Sequence, residues 1–281
     1  FKQDIKQPLW NEKSIDPSLF IDDDGVPYLY FVRFADGNVI WVAQMDDNLT
    51  SLKKETLMEC IKADKKWELS QDKPAKVVEG PSVLRKNGIY YLIYSANHFE
   101  SKNYGIGYAT SDKPIGPWIK YKENPILQLT NGLVGTGHGA PFYCKDKKWR
   151  YVFHAHWNAS KVQPRTSYIK EMRISHDGIM SMCDPIIKPR LLMIKETVHK
   201  NPIYRNPVVN YSLPDPSVIK GEDGYFYLYA TEDIHNLPIH RSKDLVHWAF
   251  VGTAFTNQTR PDFVKGGGLW APDINKIGDK Y

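Results

Sequence analysis

Three carboxylates stand at the start of apolar stretches that lie far apart in the sequence. Asp16 lies in Ile-Asp-Pro-Ser-Leu-Phe, Asp215 in Leu-Pro-Asp-Pro-Ser-Val, and Glu79 in Val-Glu-Gly-Pro-Ser-Val. Proline fixes its own φ angle and restricts the residue before it to extended geometry. We therefore expect each Asp to be held rigidly at the entry to a strand, as a catalytic group must be. A single Asp-Pro often caps a turn, so the recurrence of the pattern is what favours a shared site.

Carboxyl groups that face one bond can hydrolyse a glycoside when their pKa values differ. One group must stay protonated to give a proton to the leaving oxygen, and another must be ionised to activate water or to attack directly. A third carboxylate between them raises the pKa of the acid by like-charge repulsion. A metal site of Asp, Glu and His is the alternative, but the sequence contains no His-x-x-x-His or Asp-x-Asp-x-Asp-Gly run.

An internal repeat indicates the elements that would position these groups. Five segments share a polar start, small residues, a few apolar residues, a polar turn and an aromatic strand; the starts are Asp16, Glu79, His138, Asp215 and the Trp270–Asp273 stretch. A second hairpin follows each of the first four, so each unit holds about four short strands. The repeat predicts an all-β fold, a five-bladed β-propeller with four-stranded antiparallel blades. The five polar starts would then meet at one end of the central channel, which a β-sandwich would not require.

These segments resemble the five-bladed propellers of glycoside hydrolase family 43 over nearly the whole chain. Besides the three carboxylate motifs, the resemblance includes Leu-Trp-Ala-Pro-Asp-Ile from residue 269 and Gly-Thr-Gly-His-Gly-Ala-Pro-Phe from residue 135. It implies an inverting reaction with Asp215 as general base, Glu79 as general acid and Asp16 as the residue that tunes and orients the acid. It also implies that His138 lies near a channel metal ion, often calcium and usually held through water, while the chemistry itself requires no cofactor.

The same resemblance suggests side chains for the sugar subsite. Trp270 matches a wall of the subsite, and Arg165 matches an arginine that binds sugar hydroxyls. Phe99 and Trp157 lie beside histidines that follow aromatic strands, and they are candidates to line the pocket. The neighbouring histidines, His98, His154 and His156, have structural and functional interpretations of equal weight.

The blades begin near residues 14, 77, 136, 213 and 268, which keeps the family's cyclic order but displaces its start. We interpret 1–281 as one propeller that is opened within one blade, with residues 197–206 joining the last blade to the first. In the alternative interpretation, 1–195 ends one propeller and 201–281 begins another.

Composition excludes several other classes. The 281 residues carry a net charge of +5 with no basic block, so we expect no nucleic-acid partner. No apolar run approaches the ~18 residues that a membrane span needs. Three separated cysteines are too few for a disulfide framework and wrongly spaced for zinc.

The expected activity is removal of α-L-arabinofuranosyl or β-D-xylosyl units from plant-type polysaccharides or their oligosaccharides. The alternatives are an endo-acting arabinanase or xylanase of the same family, and a carbohydrate-binding propeller without catalysis. The substrate class favours a secreted or periplasmic location, although the sequence shows no signal peptide. The sequence indicates no oligomeric state.

Overall fold

The computed structural model describes residues 9–70, 73–187, 190–191, 212–261, 268–278 and 281, so the predicted joining segment 197–206 lies outside the described residues. The strands are β1 (Ser14–Ile21), β2 (Pro27–Ala35), β3 (Gly37–Gln44), β4 (Met58–Ile61), β5 (Val78–Lys86), β6 (Ile89–Ala96), β7 (Gly105–Ser111), β8 (Ile119–Lys120), β9 (Gly137–Tyr143), β10 (Trp149–Ala155), β11 (Thr166–Ile174), β12 (Met180–Ile187), β13 (Arg190–Leu191), β14 (Ser217–Lys220), β15 (Phe226–Tyr229), β16 (Pro238–Ser242) and β17 (His247–Thr253). Two single-turn 3-10 helices, Lys54–Thr56 and Lys66–Glu68, complete the described elements. No helix in the described part of the chain is long and apolar enough to cross a membrane.

The strands form four antiparallel sheets, each a meander in chain order. The first three are β1 to β4, β5 to β8 and β9 to β12, and the fourth is β14 to β17 with β13 added in parallel to its outer strand. The all-β propeller with four-stranded antiparallel blades is therefore confirmed, and the parallel strand β13 is an addition to it. Pairing with β13 occupies part of the outer edge of β17, which would otherwise offer free backbone groups.

Large apolar and aromatic side chains fill the spaces between successive sheets. Tyr30 and Tyr94 pack between the first and second sheets, and Tyr91 and Phe153 pack between the second and third. Trp248 belongs to the cluster between the third and fourth sheets. A fully buried Phe such as Phe153 contributes about 1.5–3 kcal/mol by leaving water, so the aromatic strands hold neighbouring blades together.

The expectation of five complete blades differs from the structure, because the described residues contain four sheets. The fifth predicted unit is represented by residues 268–278, which form no named strand in the described part of the chain. This segment lies between the fourth sheet and the first, since the backbone N–H of Leu19 in β1 donates to Asp273 Oδ2 at 2.7 Å.

Candidate active site

Five structurally equivalent segments of three residues each, called the axial triplets, line a small cavity of about 20 Å³ on the axis. They are Asp16–Ser18, Gly80–Ser82, His138–Ala140, Asp215–Ser217 and Ala271–Asp273. The first residue of every triplet has a positive φ, between 43° and 57°. The structure thus corrects the predicted register at Glu79, which stands one residue before the equivalent position, Gly80. Within the predicted Trp270–Asp273 stretch, the equivalent position is Ala271.

The positive φ angles also correct the expectation that proline holds the preceding Asp in an extended conformation. Asp16 and Asp215 have φ angles of 55° and 53°. In β1 the pairing register shifts between Ile15 and Ser18, which marks a bulge at this point. A bulge re-aims a side chain, and here it coincides with the carboxylate at the channel.

Asp215 is surrounded by donors and positive charge. Its Oδ1 accepts a hydrogen bond from Arg165 at 3.1 Å and lies 3.5 Å from His138 Nδ1, and its Oδ2 accepts one from the Thr231 hydroxyl at 2.6 Å. The ring of His154 lies 3.4 Å from Oδ1. Burial alone would raise the pKa of this carboxyl, but the charges of His138 and Arg165 outweigh burial and hold the pKa well below its usual range. Asp215 is therefore ionised at neutral pH.

Glu79 lies in a different environment, although it belongs to the same buried cluster. Tyr104 donates its hydroxyl proton to Oε1 at 2.8 Å, and the Asn38 amide donates to Oε2 at 2.9 Å. Burial, followed by repulsion from Asp16, raises the pKa of Glu79 to about 7. A large fraction of this carboxyl is therefore protonated at neutral pH.

Asp16 and His138 couple these two carboxyls electrostatically. The charge of His138 lowers the pKa of both carboxyls, whereas Asp16 raises the pKa of Glu79 and has its own pKa raised by Asp215. Asp16 Oδ2 accepts a hydrogen bond from the Gly80 N–H at 3.0 Å, and burial together with nearby Asp215 raises the Asp16 pKa. The His138 backbone N–H donates to Ser95 Oγ at 2.7 Å. Burial lowers the pKa of the His138 ring, but Asp215, Asp16 and Glu79 together outweigh it and raise the pKa.

The predicted subsite residues divide into two groups. Arg165 is buried, and its guanidinium lies 5.1 Å from the centre of the Phe99 ring, so Phe99 lies over the arginine that contacts Asp215. Trp157 and Trp270 are 39% and 62% exposed, so both rings are open to solvent. His156 fixes the Phe99 loop through a contact of 2.7 Å between its Nε2 and the Phe99 carbonyl.

Sequence reasoning missed several partners of the carboxyls. Thr231, Tyr104 and Asn38 each donate directly to Asp215 or Glu79, and none of the three belongs to the repeated polar starts. His154 had open structural and functional interpretations. Its buried ring accepts a hydrogen bond from the Asp215 backbone N–H at 3.2 Å. Burial is the main reason why the pKa of this ring lies well below its usual value. Asp273 is half-buried and was visible in its Ala-Pro-Asp motif, and loss of hydration raises its pKa to about 6.

The described residues offer no ready-made set of metal ligands. They contain no group of three or more His, Cys, Asp or Glu side chains that could hold a metal ion. The cavity of about 20 Å³ on the axis has room for about one water molecule, and calcium prefers six to eight oxygen ligands. Direct calcium coordination by these side chains does not fit, and a calcium ion held through water at His138 stays a prediction.

Comparison with protein-family models matches residues 1–180 and 204–281 to the model described as glycosyl hydrolases family 43. A solved endo-1,4-β-xylanase from Bacteroides thetaiotaomicron is 67% identical, with a TM-score of 0.65 over 68% of this chain and 65% of that chain. A thermostable family-43 glycoside hydrolase is 34% identical, with a TM-score of 0.59 over 65% of this chain and 62% of that chain.

A β-D-galactofuranosidase, xynD, from Aspergillus niger is 30% identical over 177 residues, which are 62% of this chain and 47% of that protein. The chain thus spans less than two thirds of the length of these three relatives.

Proposed function

Because the chain belongs to family 43 of the glycosyl hydrolases, we propose that its axial carboxylates hydrolyse glycosidic bonds by an inverting acid–base mechanism. One observation carries the proposal: two carboxyls of one buried cluster have pKa values moved in opposite directions. The pKa of Glu79 is raised to about 7, whereas that of Asp215 is held below its usual range. Two carboxyls whose pKa values differ in this way can take the roles of general acid and general base.

Glu79 would donate its proton to the leaving oxygen, and Asp215 would take a proton from the attacking water on the opposite face of the sugar. Asp16 would keep the pKa of Glu79 high through its charge. Inversion requires room for the water, which corresponds to a separation of about 6.5–9.5 Å between the two carboxyl groups. Arg165 donates to Asp215 from beneath the Phe99 ring, and it can also reach a sugar hydroxyl near the base.

We propose arabinose- or xylose-containing glycans as substrates. Relatives named arabinofuranosidase and β-xylosidase support this choice, with a Bacteroides ovatus enzyme 34% identical over 76 residues and a Bacillus subtilis enzyme 37% identical over 81. The Bacteroides thetaiotaomicron neighbour is titled an endo-1,4-β-xylanase, which keeps internal cleavage of xylan as the second candidate. Action on such polysaccharides favours a secreted or periplasmic enzyme.

We also propose that the chain forms one five-bladed ring. Five equivalent triplets surround the axis, and residues from both sides of the joining segment share contacts. Arg165 donates to Asp215 at 3.1 Å, and Leu19 donates to Asp273 at 2.7 Å. These contacts favour a single ring over two successive propellers, in which Asp215 and Glu79 would not share one site.

The test is hydrolysis of two aryl glycosides, an α-L-arabinofuranoside and a β-D-xyloside, beside the polymers xylan and arabinan. Release of one sugar from an aryl glycoside supports an exo-acting enzyme, and shortening of a polymer without monomer release supports the endo-acting candidate. Proton NMR identifies the anomer of the sugar that is released first. The configuration at its anomeric carbon must be inverted relative to that of the substrate. Retention of configuration would overturn the mechanism.

The Asp215→Asn variant is the control for contaminating activity. Folded Asp215→Asn protein with undiminished turnover would remove Asp215 from the mechanism. If the folded wild-type chain acts on none of the four substrates, the proposed substrate class is wrong.

A further inference from the structure

The hydroxyl of Thr231 lies between the axial carboxylate Asp215 and the segment that carries Trp270. Thr231 is buried and lies two residues after the end of strand β15 at Tyr229. Its Oγ1 donates to Asp215 Oδ2 at 2.6 Å and accepts the Ala271 backbone N–H at 2.8 Å. One oxygen atom therefore contacts both the fourth sheet's carboxylate and the fifth triplet.

The direction of these two bonds has an electrostatic consequence. A backbone N–H can only donate, so Ala271 occupies a lone pair of Oγ1 and orients the hydroxyl. The single hydroxyl proton then points to Asp215, and a hydrogen bond donated to a carboxylate favours the ionised form. An O–H···O⁻ bond of this length belongs to the strong, charge-assisted class.

The neighbouring residue Glu232 strengthens the same connection. The Leu269 N–H donates to Glu232 Oε1 at 2.8 Å, and the Glu232 N–H donates to the Leu269 carbonyl at 3.1 Å. Together with the Thr231 bond, these contacts hold residues 269 and 271 on either side of the exposed Trp270. Thr231 and Glu232 thus fix the position of a candidate sugar-binding ring relative to Asp215.

We propose that Thr231 is a positioning residue, which stabilises the charge and orientation of Asp215 and links this carboxylate to the Trp270 segment. The proposal rests on the proposed function, because it assigns Thr231 an effect on the general base. Thr231 acts through Asp215 and needs no contact with the substrate.

The test compares Thr231→Val, which removes the hydroxyl at nearly constant shape, with Thr231→Ser, which keeps it. Thr136→Val is the matched control, because Thr136 is fully buried and its hydroxyl has no hydrogen-bond partner among the described residues. In the pH profile of kcat/KM, the acid limb reports the base. We expect Thr231→Val to move this limb up by about one pH unit, as loss of one charge-assisted bond predicts. Thr231→Ser should keep the acid limb at the wild-type pH, and Thr136→Val should have the same pH profile as the wild type.

An acid limb that stays in place in Thr231→Val would overturn the proposal, as would an equal shift in Thr136→Val. A second measurement keeps the proposal independent of the proposed activity. Carbon-13 NMR of labelled aspartate carboxyls, assigned with Asp215→Asn, gives the Asp215 pKa in the wild type and in Thr231→Val without any substrate. A raised pKa supports the proposal even if no glycoside is hydrolysed, and an unchanged pKa refutes it.

Discussion

Replacing Asp16 by Asn tests whether this carboxylate controls the protonation of Glu79. The pKa of Glu79 is raised from 4.5 to about 7, first by burial and then by the charge of Asp16. Asn has nearly the same shape and can still accept the Gly80 N–H, which lies 3.0 Å from Asp16 Oδ2, but it carries no charge. We therefore expect the Glu79 pKa to fall by about one unit in the variant, to about 6.

The size of the effect depends on pH. With a pKa of about 7, half of the Glu79 carboxyls are protonated at pH 7, and a decrease of about one unit leaves roughly one tenth protonated. Activity at pH 7 should therefore fall about five-fold, whereas activity at pH 5 should change by only about a tenth, since Glu79 stays protonated in both proteins.

The assay is the pH dependence of kcat/KM on an aryl glycoside that the wild-type enzyme hydrolyses. The alkaline limb of Asp16→Asn should lie about one unit lower. A limb at the wild-type position would show that Asp16 does not tune the acid. An equal loss at pH 5 and pH 7 would refute the electrostatic argument and leave Asp16 a geometric role only.

Three further changes have distinct outcomes. Glu79→Gln should slow substrates with poor leaving groups much more than activated aryl glycosides, and equal losses in a leaving-group series would exclude Glu79 as proton donor. Asp215→Asn should lower kcat by about 10²–10⁴-fold while circular dichroism stays native, and a smaller loss would speak against its role as base. Burial raises the pKa of Asp273 from 3.8 to about 6, so the folded state favours its protonated form, and this stabilisation is lost as the pH rises from about 4 through about 6. The melting temperature of Asp273→Asn relative to the wild type should therefore increase from pH 4 to pH 7, and a constant difference would contradict this assignment.

The sheets and the identity of the clustered residues were predictable because their signals are local and repeated. Polar starts followed by aromatic strands predicted the blades, and the same starts led to Asp16, Asp215 and His138 on the axis. Arg165 was predicted through the family resemblance, and the structure places its guanidinium 3.1 Å from Asp215.

Other features depend on contacts that no local pattern records. The register differs from the prediction by one residue in the second unit, because positive φ angles, rather than residue type, mark the equivalent positions. Thr231 reaches Asp215 from the loop that follows β15, and Asn38 reaches Glu79 from strand β3 of the neighbouring sheet. Their distance in sequence from the carboxyls leaves no spacing rule by which to find them.

The shift of register in the second blade explains why the two key carboxyls differ. At Gly80 a Cβ atom would lie 2.9 Å from His138 Cδ2, so a side chain at this axial position would collide with the histidine ring. The carboxyl of this blade is supplied one residue earlier, by Glu79, where neutral Tyr104 and Asn38 donate to it. Asp215 occupies the axial position in its own blade and therefore contacts Arg165 and His138 instead. One residue of displacement thus places Asp215 against Arg165 and His138, and Glu79 against the neutral donors Tyr104 and Asn38. In the proposed mechanism, this difference adds to the burial and the repulsion from Asp16 that raise the pKa of Glu79.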